Sequence, residues 1–406
     1  MNPDYSNELL HYEQFVNDRL DTSSPPDIEE RYLPEYGHAV PLAWRLVAPA
    51  DASVFCTDDN VRRVIESEFR HGNKQMIPIH PLEESRISSD ELVYSGKIRF
   101  SASYRTVFYE PDSNSPLSGW CPQDKTLMLK LHLEEPLPGI PGDRRLTESI
   151  ISKCVYLSSV LPAEIQNDDM GEDLEIVPEF FGITAGDCGV LLRLLPASGV
   201  VPGFSVYSKD RQYAQHDPLI VRSMRNRFGE NSAEAAERFG ADFARPLVRS
   251  LIAGFRKGIS LEMHAQNTLV QLGSDASIQR VFVRDMEGTV VFNEYRGRRG
   301  LEPLGSGLAH KLEAYTDASI KRLFNRNLDH DIGRMFTGTL RALRHSGFFD
   351  SADSQAAVRS VRRVVRQAIE DGDITDICGL GRYLPLSRAP WGSGLRPGHY
   401  FRTHYR

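Results

Sequence analysis

Cysteine is scarce and never paired. Cys56, Cys121, Cys154, Cys188 and Cys378 lie far apart, and no two form a Cys-x-x-Cys. This spacing argues against a zinc ribbon or a disulfide scaffold. It suits a reducing cytosol, so a cytoplasmic location is expected. Long apolar runs are also missing. No stretch approaches the ~20 residues that cross a bilayer, so no membrane partner is expected. The first residues, MNPDYSNELLHYEQF, are acidic and polar, unlike a secretory leader. Basic charge is not in surplus: 48 Lys and Arg stand against 55 Asp and Glu, a formal net charge of −7. That balance gives no general attraction to nucleic acid. No internal repeat is visible. What is present is the composition of an ordinary globular chain, 406 residues that are 40% hydrophobic and 25% charged, with room for two or three domains.

Chemistry concentrates in Leu261–Gly288, LEMHAQNTLVQLGSDASIQRVFVRDMEG. In an extended strand Glu262, His264 and Gln266 share one face and Leu261, Met263 and Ala265 the other. Residues 273–277 have the composition of a turn, and 279–285 that of a returning strand. Such a hairpin would set Asp285 near Glu262. Two carboxylates beside a His, an Arg and the amides of Gln266 and Asn267 suit a magnesium-phosphate site, because Mg²⁺ prefers oxygen ligands. A solvated polar hairpin face accounts for the same spacing, which alone leaves both readings open.

Upstream, residues 7–20 suit a short helix broken by Ser23-Ser24-Pro25-Pro26, and residues 58–69 a second helix capped by Thr57. Met76–Pro81 has the pattern of a strand ending at His80-Pro81. Ser101, Ser103, Arg105 and Thr106 crowd three hydroxyls and a guanidinium into six residues, a set that suits either an anion or a water-facing strand. In KTLMLKLHL (125–133) Lys130 shares a face with Met128 and His132. A Lys on an apolar face needs a charge partner, so Lys130 is a candidate phosphate contact. Arg193 interrupts the apolar run GVLLRLL and needs an anion, either a structural carboxylate or a ligand. Residues 146–161 predict a helix with Pro162 after its end.

Residues 234–257 predict an amphipathic helix capped by Asn231, split or kinked at Pro246 and stopped by Gly258. Further helices are expected over 308–315, 332–345 and 354–370. The last has a solvated face of Arg359, Arg362, Arg363 and Arg366. The tail 391–406 is rich in Gly, Arg, His and aromatics.

These pieces resemble the aerobactin-synthetase (IucA/IucC) family of siderophore synthetases that act without a nonribosomal peptide template. The motifs follow one order over roughly residues 70–350: IPIHP (77–81), SASYRT (101–106), LKL (129–131), an Arg after the next loop, LLR (191–193), EMHAQN (262–267) and VRDMEG (283–288). The resemblance implies an α+β, hand-like fold of fingers and palm, with antiparallel sheets and a helical C-terminal palm. The expected division is a reduced N-terminal region (1–69), an ATP-binding fingers-like region (70–200) and a palm-like domain (201–406). The thumb is expected to be reduced or missing, since the family's earlier His-Pro motif is not found in residues 1–70.

The implied activity is an AMP-forming ligase. It adenylates a carboxylate, typically citrate, with ATP and Mg²⁺, then joins it to an amine or alcohol. By position, His80, Ser101, Ser103, Arg105, Thr106, Lys130, Gln266 and Asn267 would serve the nucleotide. Glu262 and Asp285 would hold Mg²⁺, and Arg144 or Arg145, Arg193 and His264 would bind the carboxylate. His264, Arg193 and Lys130 would be the catalytic set. The implied partners are small molecules, and the family allows a homodimer. The sequence departs from the family at Arg193-Leu194-Leu195-Pro196, where Arg-Glu-Asn-Pro is usual. Two further readings stay open. In a kinase-like phosphotransferase, His264-x-x-Asn267 and Asp285 would form the catalytic loops, although Gln266 stands where a catalytic base is needed. A non-catalytic binding protein could retain the same fold.

Overall fold

The computed structural model describes residues 8–17, 29–113, 115, 117, 120–134, 144–166, 168–213, 215–305 and 316–374. The predicted helix at 308–315 and the tail at 391–406 lie outside them. Among the described residues, fifteen strands form three sheets. In chain order they are β1 (Ala39–Val47), β2 (Ser53–Cys56), β3 (Arg70–His71), β4 (Lys74–Ile79), β5 (Leu92–Phe100), β6 (Thr106–Glu110), β7 (Lys125–Leu131), β8 (Leu174–Ile176), β9 (Glu179–Ala185), β10 (Cys188–Pro196), β11 (Val201–Pro202), β12 (Ile259–Ser260), β13 (Thr268–Leu272), β14 (Ile278–Val283) and β15 (Val290–Val291). The large sheet runs β2-β9-β10-β7-β6-β5-β1-β4-β3, and its pairs are antiparallel. A second sheet, β11-β13-β14-β8, holds one parallel pair, β14 with β8. The fold is α+β, with most of the long helices from residue 219 onward, where they flank β12–β15.

Strand period 2 explains how the large sheet serves two sides. Along β7, Leu127, Leu129 and Leu131 enter one core with Trp44, Phe69 and Phe181. Met128 faces the other side and packs with Phe108, Leu195, Leu269 and Phe282. That second cluster presses the β13–β14 hairpin onto the sheet. Lys130 and Arg193 follow the same alternation and so point toward the hairpin.

Several expectations are corrected. The large sheet runs across the boundary drawn at residues 69/70, because β1 pairs with both β4 and β5. Residues 39–56 are therefore part of it. The cap of the helix Asp59–Glu68 is Asp58, whose carboxylate accepts from Asn60 and Val61 N–H, in place of Thr57. The helix Glu148–Gln166 runs through Pro162 and does not end before it. Asn231 does cap the helix Ser232–Phe239, accepting from Glu234 N–H at 3.2 Å. The predicted break near Pro246 is a π-helical turn at Gly240–Ala244, and Pro246 sits in the first turn of the next helix, Arg245–Arg256. In the helix Ser351–Asp371, Val358, Val361, Val364 and Ile369 are buried while Arg359, Arg363 and Arg366 are exposed. Among the described residues no helix is long and apolar enough to cross a membrane.

Candidate active site

The centre of the site is an ion network where the large sheet meets the hairpin. Lys130 is fully buried. Its Nζ lies 2.5 Å from Asp285 Oδ1 and 2.9 Å from Glu287 Oε2. Arg105 also pairs with Glu287 and donates to the Arg144 carbonyl at 2.8 Å. Arg193 donates to the buried Glu179 at 2.7 Å and stands 4.0 Å from Asp285 Oδ2. Burial pushes the Asp285 carboxyl up, but Lys130, Arg193 and Arg105 outweigh it and hold it well below the usual carboxylate range. Glu287 is lowered in the same way, with Lys130 and Arg105 overcoming burial. Lys130 is raised, because Asp285 and Glu287 more than offset its desolvation. The site therefore keeps its charges at neutral pH, although water is largely excluded.

Two guanidinium nitrogens in this network are buried without a hydrogen-bond partner among the described residues, Arg193 Nε and Arg144 Nε. Burial, and then the neighbouring Arg105, lower the Arg144 pKa, against weaker support from Glu287, Asp285 and Glu262. A buried donor left unpaired costs about 1–3 kcal/mol. Each of these donors calls for an acceptor, a water or a ligand. Of the two alternatives at that loop, Arg144 is half-buried and Arg145 is exposed.

Backbone geometry at Asp285 is unusual. Its φ is +76°, a left-handed conformation that costs of order 1 kcal/mol or more outside glycine. It is held on both sides. Arg284 N–H donates to the Asn267 carbonyl at 3.0 Å, and Met286 N–H donates to Glu179 Oε2 at 3.1 Å. The Asp285 side chain itself accepts from Glu287 N–H at 3.2 Å.

The EMHAQN segment differs from the expected strand. Residues 261–267 form an irregular turn, and the strand begins at Thr268. Burial still alternates, with Leu261, Met263, Ala265 and Asn267 buried and Glu262, His264 and Gln266 half-buried. The turn is closed by His264, whose Nδ1 accepts from Gln266 and Asn267 N–H at 3.3 Å each. In the neutral ring this fixes the proton on Nε2, so His264 offers a donor. Asn267 Nδ2 reaches Glu262 Oε2 at 3.5 Å. Glu262 lies flat against Gly288, where a Cβ would stand 2.1 Å from its Oε2. The turn at 273–277 is as expected, with Gly273 N–H donating to the Ser277 carbonyl and Ala276 at φ +62°.

Two residues named for the nucleotide, His80 and Ser101, are engaged in local hydrogen bonds. His80 has one ring nitrogen 2.9 Å from the Tyr104 carbonyl, and the other accepts from Leu82 N–H at 3.2 Å. Both nitrogens are engaged, and burial lowers its pKa to about 4. Ser101 is fully buried and donates to the Thr106 carbonyl at 2.7 Å. Both residues shape the turn that presents Ser103, Arg105 and Thr106. Ser103 is half-buried, while Thr106 is buried opposite Lys130 in the β6–β7 register.

Three acids escaped the sequence reading as site members: Glu287, Glu179 and Glu13. Glu287 stood inside the quoted Arg-Asp-x-Glu-Gly motif. Glu179 and Glu13 carry no local signal, because their partners lie 14 and 271 residues away.

No family model matches the sequence, and no curated protein sequence matches it. Solved structures do match. ATP-bound aerobactin synthetase IucA from a hypervirulent pathotype of Klebsiella pneumoniae aligns at TM-score 0.64 and 16% identity, over 86% of this chain and 66% of that one. The chain has the aerobactin-synthetase fold. Aerobactin synthetase IucC from the same pathotype aligns at 0.58 and 16% identity, over 87% of this chain and 65% of that one. The petrobactin biosynthesis protein AsbB from Bacillus anthracis aligns at 0.63 and 15% identity, over 91% and 68%. The chain thus spans about two thirds of the length of the aerobactin synthetases it matches. Within this fold, the Lys130–Asp285–Glu287 network sits where the large sheet meets the hairpin.

Proposed function

We propose that the chain is an ATP- and Mg²⁺-dependent synthetase that adenylates a carboxylate and passes the acyl group to an amine or alcohol. The observation that carries this reading is the pair of unpartnered Nε atoms of Arg144 and Arg193 beside the Lys130–Asp285–Glu287 network. Cations that outlast their internal partners suit anionic substrates, here triphosphate and carboxylate together.

In the first step a substrate carboxylate oxygen attacks the α-phosphorus of ATP. The new P–O bond forms as the bond to pyrophosphate breaks. In the second, the amine or alcohol attacks the acyl carbon, AMP leaves, and the nucleophile gives up its proton. This chemistry needs positioning and charge neutralisation more than a protein nucleophile. Ser103, Arg105, Thr106 and Lys130 would face phosphates, and Gln266 and Asn267 the nucleotide. Arg144, Arg193 and the His264 Nε2 donor would orient the carboxylate. Asp285 and Glu262 would hold Mg²⁺, with Glu287 beside them. These acids offer only oxygens, which fits that ion. Among the described residues no three His, Cys, Asp or Glu form a metal cluster. Bound Mg²⁺ supplies charge neutralisation on the phosphates.

A pyrophosphate-release screen over citrate, its monoamides, 2-oxoglutarate and other carboxylates, each with a panel of amines, tests the reading. Carboxylate-dependent pyrophosphate and AMP are expected. ADP would mean phosphoryl transfer instead, and no product with any acid would mean a binding protein.

A further inference from the structure

Outside the residues assigned to substrates, two buried carboxylates, Glu179 and Glu13, touch both halves of the site. Glu13 sits in the helix Glu8–Phe15 and is fully buried. Its Oε1 pairs with Arg284 Nη2 at 2.5 Å, and its Oε2 accepts from Ala102 N–H at 3.1 Å. Arg284 in turn donates through Nε and Nη2 to the Gln266 carbonyl, at 3.0 and 2.7 Å. One side chain therefore joins the Ser101–Thr106 turn, the Glu262–Asn267 turn and the residue that precedes the left-handed Asp285. Gln14, next in the same helix, donates to the Phe100 carbonyl at 3.2 Å. The helix is anchored independently by Leu9 N–H to the Ala197 carbonyl and by His11 to Asp210 at 2.9 Å.

We infer that Glu13 is a positioning residue: through Arg284 and Ala102 N–H it holds the phosphate-facing turn and Asp285 in register. This rests on the synthetase reading for the reaction it serves, while the clamp itself is a feature of the fold. A buried ion pair is weak evidence for stability, because apolar residues of similar volume often replace one at no loss. That property separates folding from positioning.

The test compares Glu13→Gln, and the double variant Glu13→Gln/Arg284→Met, with the wild type. The single variant leaves the Arg284 charge buried, so its Tm should fall. The double variant removes both charges but also the Arg284 bonds to the Gln266 carbonyl, so its Tm should recover part of that loss. In the double variant kcat for pyrophosphate release should still fall about 10- to 100-fold, with KM for ATP changed less than kcat. Amides of 101–106 and 284–288 should exchange hydrogen faster, with β9 and β10 unchanged. A double variant that folds and turns over like the wild type overturns the inference. If the wild type releases no pyrophosphate with any acid, the synthetase reading fails, and exchange alone decides the clamp. Unchanged protection of both segments in the double variant would refute it.

Discussion

Arg296 and Arg193 are both buried arginines in the same chain, yet they are treated oppositely. Every guanidinium nitrogen of Arg296 has an acceptor: Nε the Glu302 carbonyl at 2.8 Å, Nη1 the Lys257 carbonyl at 2.6 Å and Nη2 Glu164 at 3.1 Å. Arg193 has Glu179 on Nη2 and nothing on Nε. The first is a closed structural knot. The second keeps an open donor next to Asp285, as does Arg144 next to Arg105. Burial alone therefore does not separate structural from ligand-facing arginines. On the proposed reading, completeness of hydrogen bonding separates these two. His80, with both ring nitrogens engaged, falls on the Arg296 side of that division.

The severest way to test the division is to disarm the open network. Asp285→Asn should reduce carboxylate-dependent pyrophosphate release by ~10³-fold, the scale seen when a preorganised charge is lost. A variant with full turnover would remove Asp285 from the site. Next, matched Arg→Lys changes set the two arginines against each other. Arg296→Lys should lower stability by about 2–3 kcal/mol in urea titrations, since one ammonium cannot serve three fixed acceptors, and should leave KM for the carboxylate alone. Arg193→Lys keeps a charge for Glu179 but loses Nε. It should raise that KM about 10- to 100-fold with little change in stability. The reverse pattern would mean that completeness of bonding says nothing about function.

His80 tests the closed side by pH. Its folded pKa is depressed to about 4 from 6.5, so the unfolded chain binds the proton first. Stability from this group is full above pH 6.5 and is lost as pH falls toward 4, by about 3 kcal/mol at most. His80→Asn should flatten that part of the stability curve. A slope identical to wild type would contradict the burial of a neutral ring. The mildest effect is expected at Arg144→Gln, with KM for the carboxylate up ~10-fold and a small gain in ligand-free Tm, because Arg105 no longer faces a second cation. A loss of Tm would show that Arg144 is structural.

The same division explains what the sequence made legible. Lys130 and Arg193 stood out because a charge breaks an apolar strand pattern, and both are in the network. The Glu262–His264–Gln266 face was found although no strand is there, since a tight turn with alternating burial mimics period 2. The predicted cap Thr57 lies one residue before the observed cap Asp58, because sequence alone does not show where helical φ and ψ begin. His80 and Ser101 lie in motif positions, but motif membership does not say whether a polar atom faces a substrate or a backbone carbonyl. Glu13 and Glu179 were out of reach, because buried acids are specified by distant partners. The network closes only when the large sheet and the hairpin meet.

Gly288 carries a last consequence. It adds no charge and no donor beyond its backbone, yet any side chain there collides with Glu262. Position 288 is thus a steric dial on an acid 26 residues earlier in the chain. Exchanging one hydrogen for a methyl group would swing an oxygen donor aside while leaving every ionisable residue in place. A mutational scan should find this glycine as intolerant of alanine as the acids around it are of neutral residues, for reasons of room alone.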